Sequence, residues 1–156
     1  MTGRLERFLT VSAELTAYSV FELRGTGVAE AYLAAVQGVV GPAVVDAVLD
    51  RYDGLVATGA TGPALADLLR RDLFSDPKLG PVVRNVVKMW YVGTWYELPR
   101  AWTESYGALQ QNVTFTVSAA AYTEGLLWPS IGANPPGAKA PGYGSWAQPP
   151  RIPATR

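Results

Sequence analysis

The chain has 156 residues and contains neither cysteine nor histidine. Without thiols there is no disulfide, no thiolate nucleophile, no iron–sulfur cluster and no covalently attached haem. Without imidazole there is no usual zinc site, no Ser-His-Asp triad and no imidazole acid–base pair. Carboxylate, lysine and tyrosine chemistry remain open. Charge is scarce too. Lys, Arg, Asp and Glu make up 17 % of the sequence, against about 25 % in an ordinary globular domain. So little charge leaves less polar material to cover a surface, which points toward a permanent interface. The 13 cations balance the 13 acids, so nothing resembles a basic nucleic-acid footprint. No apolar run approaches the ~20 residues that span a bilayer. The start, Met1 to Phe8, is polar and Arg-bearing, unlike a targeting segment, and the only adjacent arginines, Arg70 and Arg71, are internal.

What is present begins with helical periodicity. Leu5, Phe8, Leu9, Ser12 and Leu15 share one face of a first helix, in a region that ends at Gly25-Thr26-Gly27. Val28, Ala31, Tyr32, Ala35, Val36 and Val39 give a second stripe, stopped by Gly41. Pro42 suits the first turn of a third helix, whose stripe is Val45, Val48, Leu49, Tyr52, Leu55 and Val56. After a loop from Gly59 to Gly62, Pro63 opens a short fourth helix with Leu65, Leu68, Leu69 and Leu73. Ser75-Asp76-Pro77 is a turn, and a fifth helix carries Val82, Val83, Val86, Val87 and Trp90. Asn112 to Ser118 alternates, with Val113, Phe115 and Val117 inward, as a strand would. The same region also fits a helix face, and a helix from about Thr116 to Trp128 is the preferred expectation. The predicted fold is mainly α, a compact bundle of about five to six helices joined by short connections.

The C-terminal stretch is of another kind. Seven of the twelve prolines lie between Gly125 and Arg156, among glycines, so neither regular helix nor central strand is expected there. A disordered linker would be poor in aromatics. This one carries Trp128, Ile131, Tyr143 and Trp146. The division expected is a helical domain over 1–124 and a non-regular strap over 125–156, folded either on its own domain or along a partner.

Six aromatics, Trp90, Tyr91, Trp95, Tyr96, Trp102 and Tyr106, crowd into one stretch broken by Gly93 and Pro99. They suit a core, a protein interface or a platform for sugar rings. Arg24-Gly25-Thr26-Gly27 begins like a dinucleotide fingerprint, but the third glycine is missing and no strand precedes it, so a helix–helix turn fits better. Gly59-Ala60-Thr61-Gly62 lacks the Gly-Lys-Ser/Thr ending of a phosphate loop. Glu97, Glu104 and Glu124 stand nearest the aromatics. Paired carboxylates cleave glycosidic bonds, yet with no companion motif these read as solvated or ion-paired side chains. Asn112-Val113-Thr114 matches a glycosylation triplet of a kind that recurs by chance.

Three segments carry a resemblance: Lys88-Met-Trp-Tyr-Val-Gly-Thr-Trp-Tyr96, Tyr122-Thr-Glu-Gly-Leu-Leu-Trp128, and Ile131-Gly-Ala-Asn-Pro-Pro-Gly through Gly144-Ser-Trp146. With Phe8-Leu9-Thr-Val-Ser-Ala-Glu-Leu-Thr16, they look like the small subunit of membrane-associated, FAD-dependent sugar and polyol dehydrogenases. The group includes sorbitol and fructose dehydrogenase small subunits and the gluconate 2-dehydrogenase third subunits. The resemblance implies a chain with no catalytic, cofactor or metal residues of its own. It implies a large FAD-bearing partner subunit that does the chemistry, and often a multihaem cytochrome subunit that holds the complex at the membrane, so that membrane contact is indirect. It also implies a helper role in folding the large subunit, and a twin-arginine signal that exports both to the periplasm. Such a signal is not seen here; without one the expectation is cytoplasmic. Asn134 stands where the family pattern has His before Pro-Pro, so no particular substrate is carried over. The interface residues expected on this reading are Trp90, Trp95, Trp102, Trp128, Tyr143 and Trp146. The alternative is a carbohydrate-binding module that stacks sugars on Trp90, Trp95 and Trp102.

Overall fold

Periodicity of the apolar stripes becomes helix packing in the computed structural model, which describes residues 3–109, 111–139, 147 and 149–150. The fold is mainly α. Its helices are α1 (Arg4–Thr16), α2 (Val20–Gly25), α3 (Ala29–Val40), α4 (Pro42–Val56), α5 (Gly62–Leu69) and α6 (Leu79–Val92), followed by the short α7 (Arg100–Tyr106), α8 (Ala119–Thr123) and α9 (Leu127–Ser130). A π turn, Arg70–Phe74, prolongs α5. Strands β1 (Thr94–Trp95) and β2 (Phe115–Thr116) form an antiparallel pair, with Thr94 opposite Thr116 and Trp95 opposite Phe115.

The stripes point inward as their spacing requires. Leu9, Tyr32, Val36, Val39, Leu49, Val83 and Met89 are all buried, in one core shared by α1, α3, α4 and α6. Pro42 opens α4, and Gly41 before it has φ 81°, a left-handed value suited to glycine. Val56, the last residue of α4 and of its stripe, is exposed.

Three expectations are corrected. The first helical region is two helices. It breaks at Ala17, the only non-glycine at positive φ among the described residues, and a capping box of Ser19 and Glu22 restarts it as α2. The helix expected from Thr116 to Trp128 is instead β2, then α8, then α9. Ser118 caps α8 by accepting from the Ala121 amide at 3.0 Å, which fixes the start later than Thr116. α8 ends at Thr123, and at Gly125 a side chain would meet the Tyr91 carbonyl oxygen at 2.7 Å. Finally, Val113 does not point inward. It is exposed, in the turn between Gln111 and Thr114, while Phe115 and Val117 are partly buried as expected. These breaks and the late short helices raise the helix count above the five or six expected.

The C-terminal third is stitched onto the end of α6. A helix leaves its last carbonyls without intrahelical partners. Here the Leu126 amide donates to Trp90 O at 3.0 Å, and the Val117 amide to Gly93 O at 2.9 Å. Leu126 itself is buried in the core. Packing therefore continues past residue 124, and the segment from Gly125 to Ile131 lies on this domain rather than starting a free strap.

Candidate functional site

Of the six aromatics expected to face a partner, three lie inside the bundle. Trp90, Trp95 and Trp102 are 1 %, 0 % and 4 % exposed. Trp90 stacks on Phe8 and meets the Tyr32 ring edge-on at 4.8 Å. The Trp102 indole donates to Lys78 O at 2.8 Å, which anchors α7 on the start of α6. Helical spacing brings Trp90 inward with Val83 and Val86. The strand pair and α7 bury the other two. Interface or sugar stacking needs an exposed ring face, so these three are corrected to core residues, and the sugar-binding alternative loses its platform. Tyr143 and Trp146 lie outside the described residues.

Trp128 is the remaining aromatic of the six. It is half-buried on α9, its indole donating to Tyr122 O at 2.7 Å and its ring meeting Tyr122 edge-on at 5.5 Å. Tyr122 and Ile131 beside it in sequence are exposed. The link between α1 and α2 joins this face: the Tyr18 and Ser130 hydroxyls are 2.7 Å apart. The Tyr91 hydroxyl donates to Thr16 O at 3.0 Å, closing the same corner from α6. Burial pushes the Tyr91 phenol above its ordinary value. The chain then returns to this face, where Lys139 pairs with Glu124 at 2.6 Å.

The face is nearly free of charge. Beyond Glu104 the sequence holds only Glu124, Lys139, Arg151 and Arg156 as charged residues. Composition alone does not show this asymmetry; it needs the position of each charge along the chain. Glu104 pairs with Arg100 and Glu124 with Lys139, while Glu97 is exposed. Asn112 is committed to structure: its side-chain oxygen accepts from the Leu98 amide at 2.9 Å and its amide donates to Thr103 Oγ1 at 3.2 Å. The Gly25–Gly27 segment is the turn between α2 and α3, with no strand before it.

A shallow apolar cleft lies between α1, α3, α4 and α6, lined by Phe8, Val11, Val36, Val45, Val48 and Val86 among others. Its lining offers no donor or acceptor to orient a polar substrate. Within the core, the Tyr32 hydroxyl and the Trp90 and Trp95 indoles have no hydrogen-bond partner among the described residues, and burial pushes the Tyr32 phenol far up. No cluster of acidic residues suited to a metal ion, and no single helix long and apolar enough to cross a membrane, occurs among the described residues. Comparison with known protein families, curated proteins and solved structures finds no match to this chain.

Proposed function

We propose that this chain is a non-catalytic accessory subunit. It docks on the FAD-bearing subunit of a sugar or polyol dehydrogenase complex and supports that subunit's folding, stability and export. The observation that carries the reading is the charge-poor face of α8 and α9. Interface centres are depleted in charge and enriched in aromatic rings, and this face carries Tyr122, Trp128 and Ile131 on a domain whose core is already filled. The likeness to dehydrogenase small subunits supplies the identity of the partner. The lack of histidine and cysteine is in keeping with chemistry done elsewhere. Residues 140–156, with Tyr143 and Trp146, would extend the contact as a strap.

Co-expression with an FAD-binding dehydrogenase large subunit, sought in the neighbouring open reading frame, tests the proposal. The expected result is a stable complex that copurifies with FAD absorbance and reduces a dye in the presence of a sugar or polyol, with the flavoprotein alone insoluble. A flavoprotein that folds, stays soluble and turns over equally well without this chain, and does not bind it, would overturn the reading.

A further inference from the structure

The chain beyond Leu126 is fastened unlike the chain before it. Leu126 is 3 % exposed, and its amide donates to Trp90 O at 3.0 Å. Just upstream, α8 buries Ala121 completely. From Leu127 to Lys139 the backbone bonds turn local: the amides of Trp128, Ser130, Ile131, Gly132, Ala133 and Ala138 donate to carbonyls three to five residues back. No residue of α9 is fully buried, and Pro135 alone is buried in the rest of the stretch. A helix of four residues does not hold itself in water, so side chains must fasten it. The Trp128 indole reaches Tyr122 O, and Lys139 pairs with Glu124 where both are partly in water. The third contact is a catch of two hydroxyls. Ser130 donates to Leu126 O at 2.6 Å, so its oxygen is left to accept, and the Tyr18 phenol 2.7 Å away supplies the proton. Neither group is charged, so salt does not release it.

We propose that residues 127–139 form a latch that opens as one unit about Leu126 while the bundle, α8 included, stays folded. The Tyr18–Ser130 catch sets how often it opens. The reason is the contrast in attachment. Regions with few buried apolar contacts open locally at low free energy, and segments that bind partners are drawn from that end of the range. Opening disturbs one buried proline and a few hydrogen bonds, each of small net worth because water replaces it. It leaves the Leu126–Trp90 bond and the core of α1, α3, α4 and α6 intact. The latch carries Trp128 and Ile131, so closing it assembles their face with Tyr122. On the accessory-subunit reading, on which this use alone rests, a docked partner holds the latch shut.

Hydrogen exchange of the full isolated chain, read by mass spectrometry, tests the latch without a partner. Amides from Trp128 to Ala138 should exchange at least about 100-fold faster than those of Val86 to Met89 in α6, at rates that barely respond to dilute urea because local opening exposes little surface. Tyr18→Phe removes the catch's proton. It should speed exchange of the stretch about fivefold, the value of one neutral hydrogen bond, while exchange in α6 and α8 stays put. If Tyr18→Phe also lowers the thermal melt, Ser130→Ala takes its place with an equal or larger gain expected. Exchange of the stretch as slow as in α6 would overturn the latch, and so would α8 opening in step with it. A fast stretch indifferent to both substitutions would overturn the catch. Binding of the FAD-bearing subunit should slow exchange in the stretch. A complex that forms and leaves it unchanged would overturn the docking use alone, and a chain that binds no such subunit would overturn the accessory-subunit reading with the latch intact.

Discussion

The face built from α1 and α4 and the face built from α8 and α9 meet solvent in opposite ways. On the first, Arg4 grips Asp46 through two nitrogens, both at 2.8 Å, and Arg7 spans Asp50 at 2.6 Å and Asp53 at 2.7 Å. On the second, a single ion pair, Lys139 with Glu124, accompanies exposed Tyr122 and Ile131. Both faces cover the same core, so the hydrophobic requirement does not separate them. A lattice of ion pairs adds little stability in water, but it keeps a surface soluble and hard to mispair. An uncharged aromatic face gives up that protection. The difference teaches that the first surface is finished in the isolated chain, whereas the second is suited to being covered.

The comparison breaks most easily at the seam that holds the second face on. Gly93 ends α6 with φ 70°, and a Cβ there would sit 2.5 Å from the Ala121 carbonyl oxygen. Both obstacles are backbone, which cannot swing aside as a side chain does. Gly93→Val should cost about 3–4 kcal/mol, from the left-handed backbone and the overpacking together. Urea unfolding monitored by circular dichroism measures it. A loss below about 1 kcal/mol would mean that α8 does not sit on the end of α6 as described.

Two truncations sharpen the boundary of that face. Ending the chain after Glu124 removes buried Leu126 and its hydrogen bond to Trp90 O. It should destabilise the domain by about 2–3 kcal/mol, the value of a buried leucine. Ending it after Lys139 keeps Leu126, Trp128, Ser130 and the Glu124 pair. Stability of the isolated chain should then fall by less than on ending it after Glu124, while binding of the flavoprotein falls. Equal melts for the two truncations would erase the distinction between a docked segment and a strap.

The sequence shows some of this and hides the rest for physical reasons. The stripes of α3, α4 and α6 are legible because a 3.6-residue repeat and a helix face are the same fact. Trp90 lies on such a stripe, and its burial follows. Trp95 and Trp102 have no stripe, since β1 and α7 are too short to establish a period, and composition alone cannot separate a core tryptophan from an anchor. The break at Ala17 has no glycine or proline to announce it. Only the Ser19–Glu22 spacing marks the new start. Gly93 and Gly125 read as punctuation, but the carbonyl each must accommodate comes from a distant segment. Phe21 is the sharpest case: its exposure follows from the burial of Leu23, which local sequence does not reveal.

The charged face yields the smallest effect. Arg7→Ala removes two ion pairs at once, yet Asp50 and Asp53 are 71 % and 53 % exposed and regain water when released. The expected loss is under about 1 kcal/mol, disappearing in about 1 M salt, where the screening length falls to about 3 Å. Acid acts on the same face through Glu6. The Arg24 hydrogen bond holds its carboxyl below the ordinary value of 4.5. A lowered folded value means the contribution is complete above the ordinary carboxylate range and is lost as pH falls through the lower folded value. Salt and acid should therefore speed hydrogen exchange in α1 and α4 before α8 and α9, whose attachment runs through backbone hydrogen bonds and apolar contacts. Exchange measured by mass spectrometry at low and high salt, and at neutral pH and about pH 3, checks the order. Loosening of α8 and α9 first would show that the uncharged face depends on charge after all, and the contrast between the two surfaces would no longer hold.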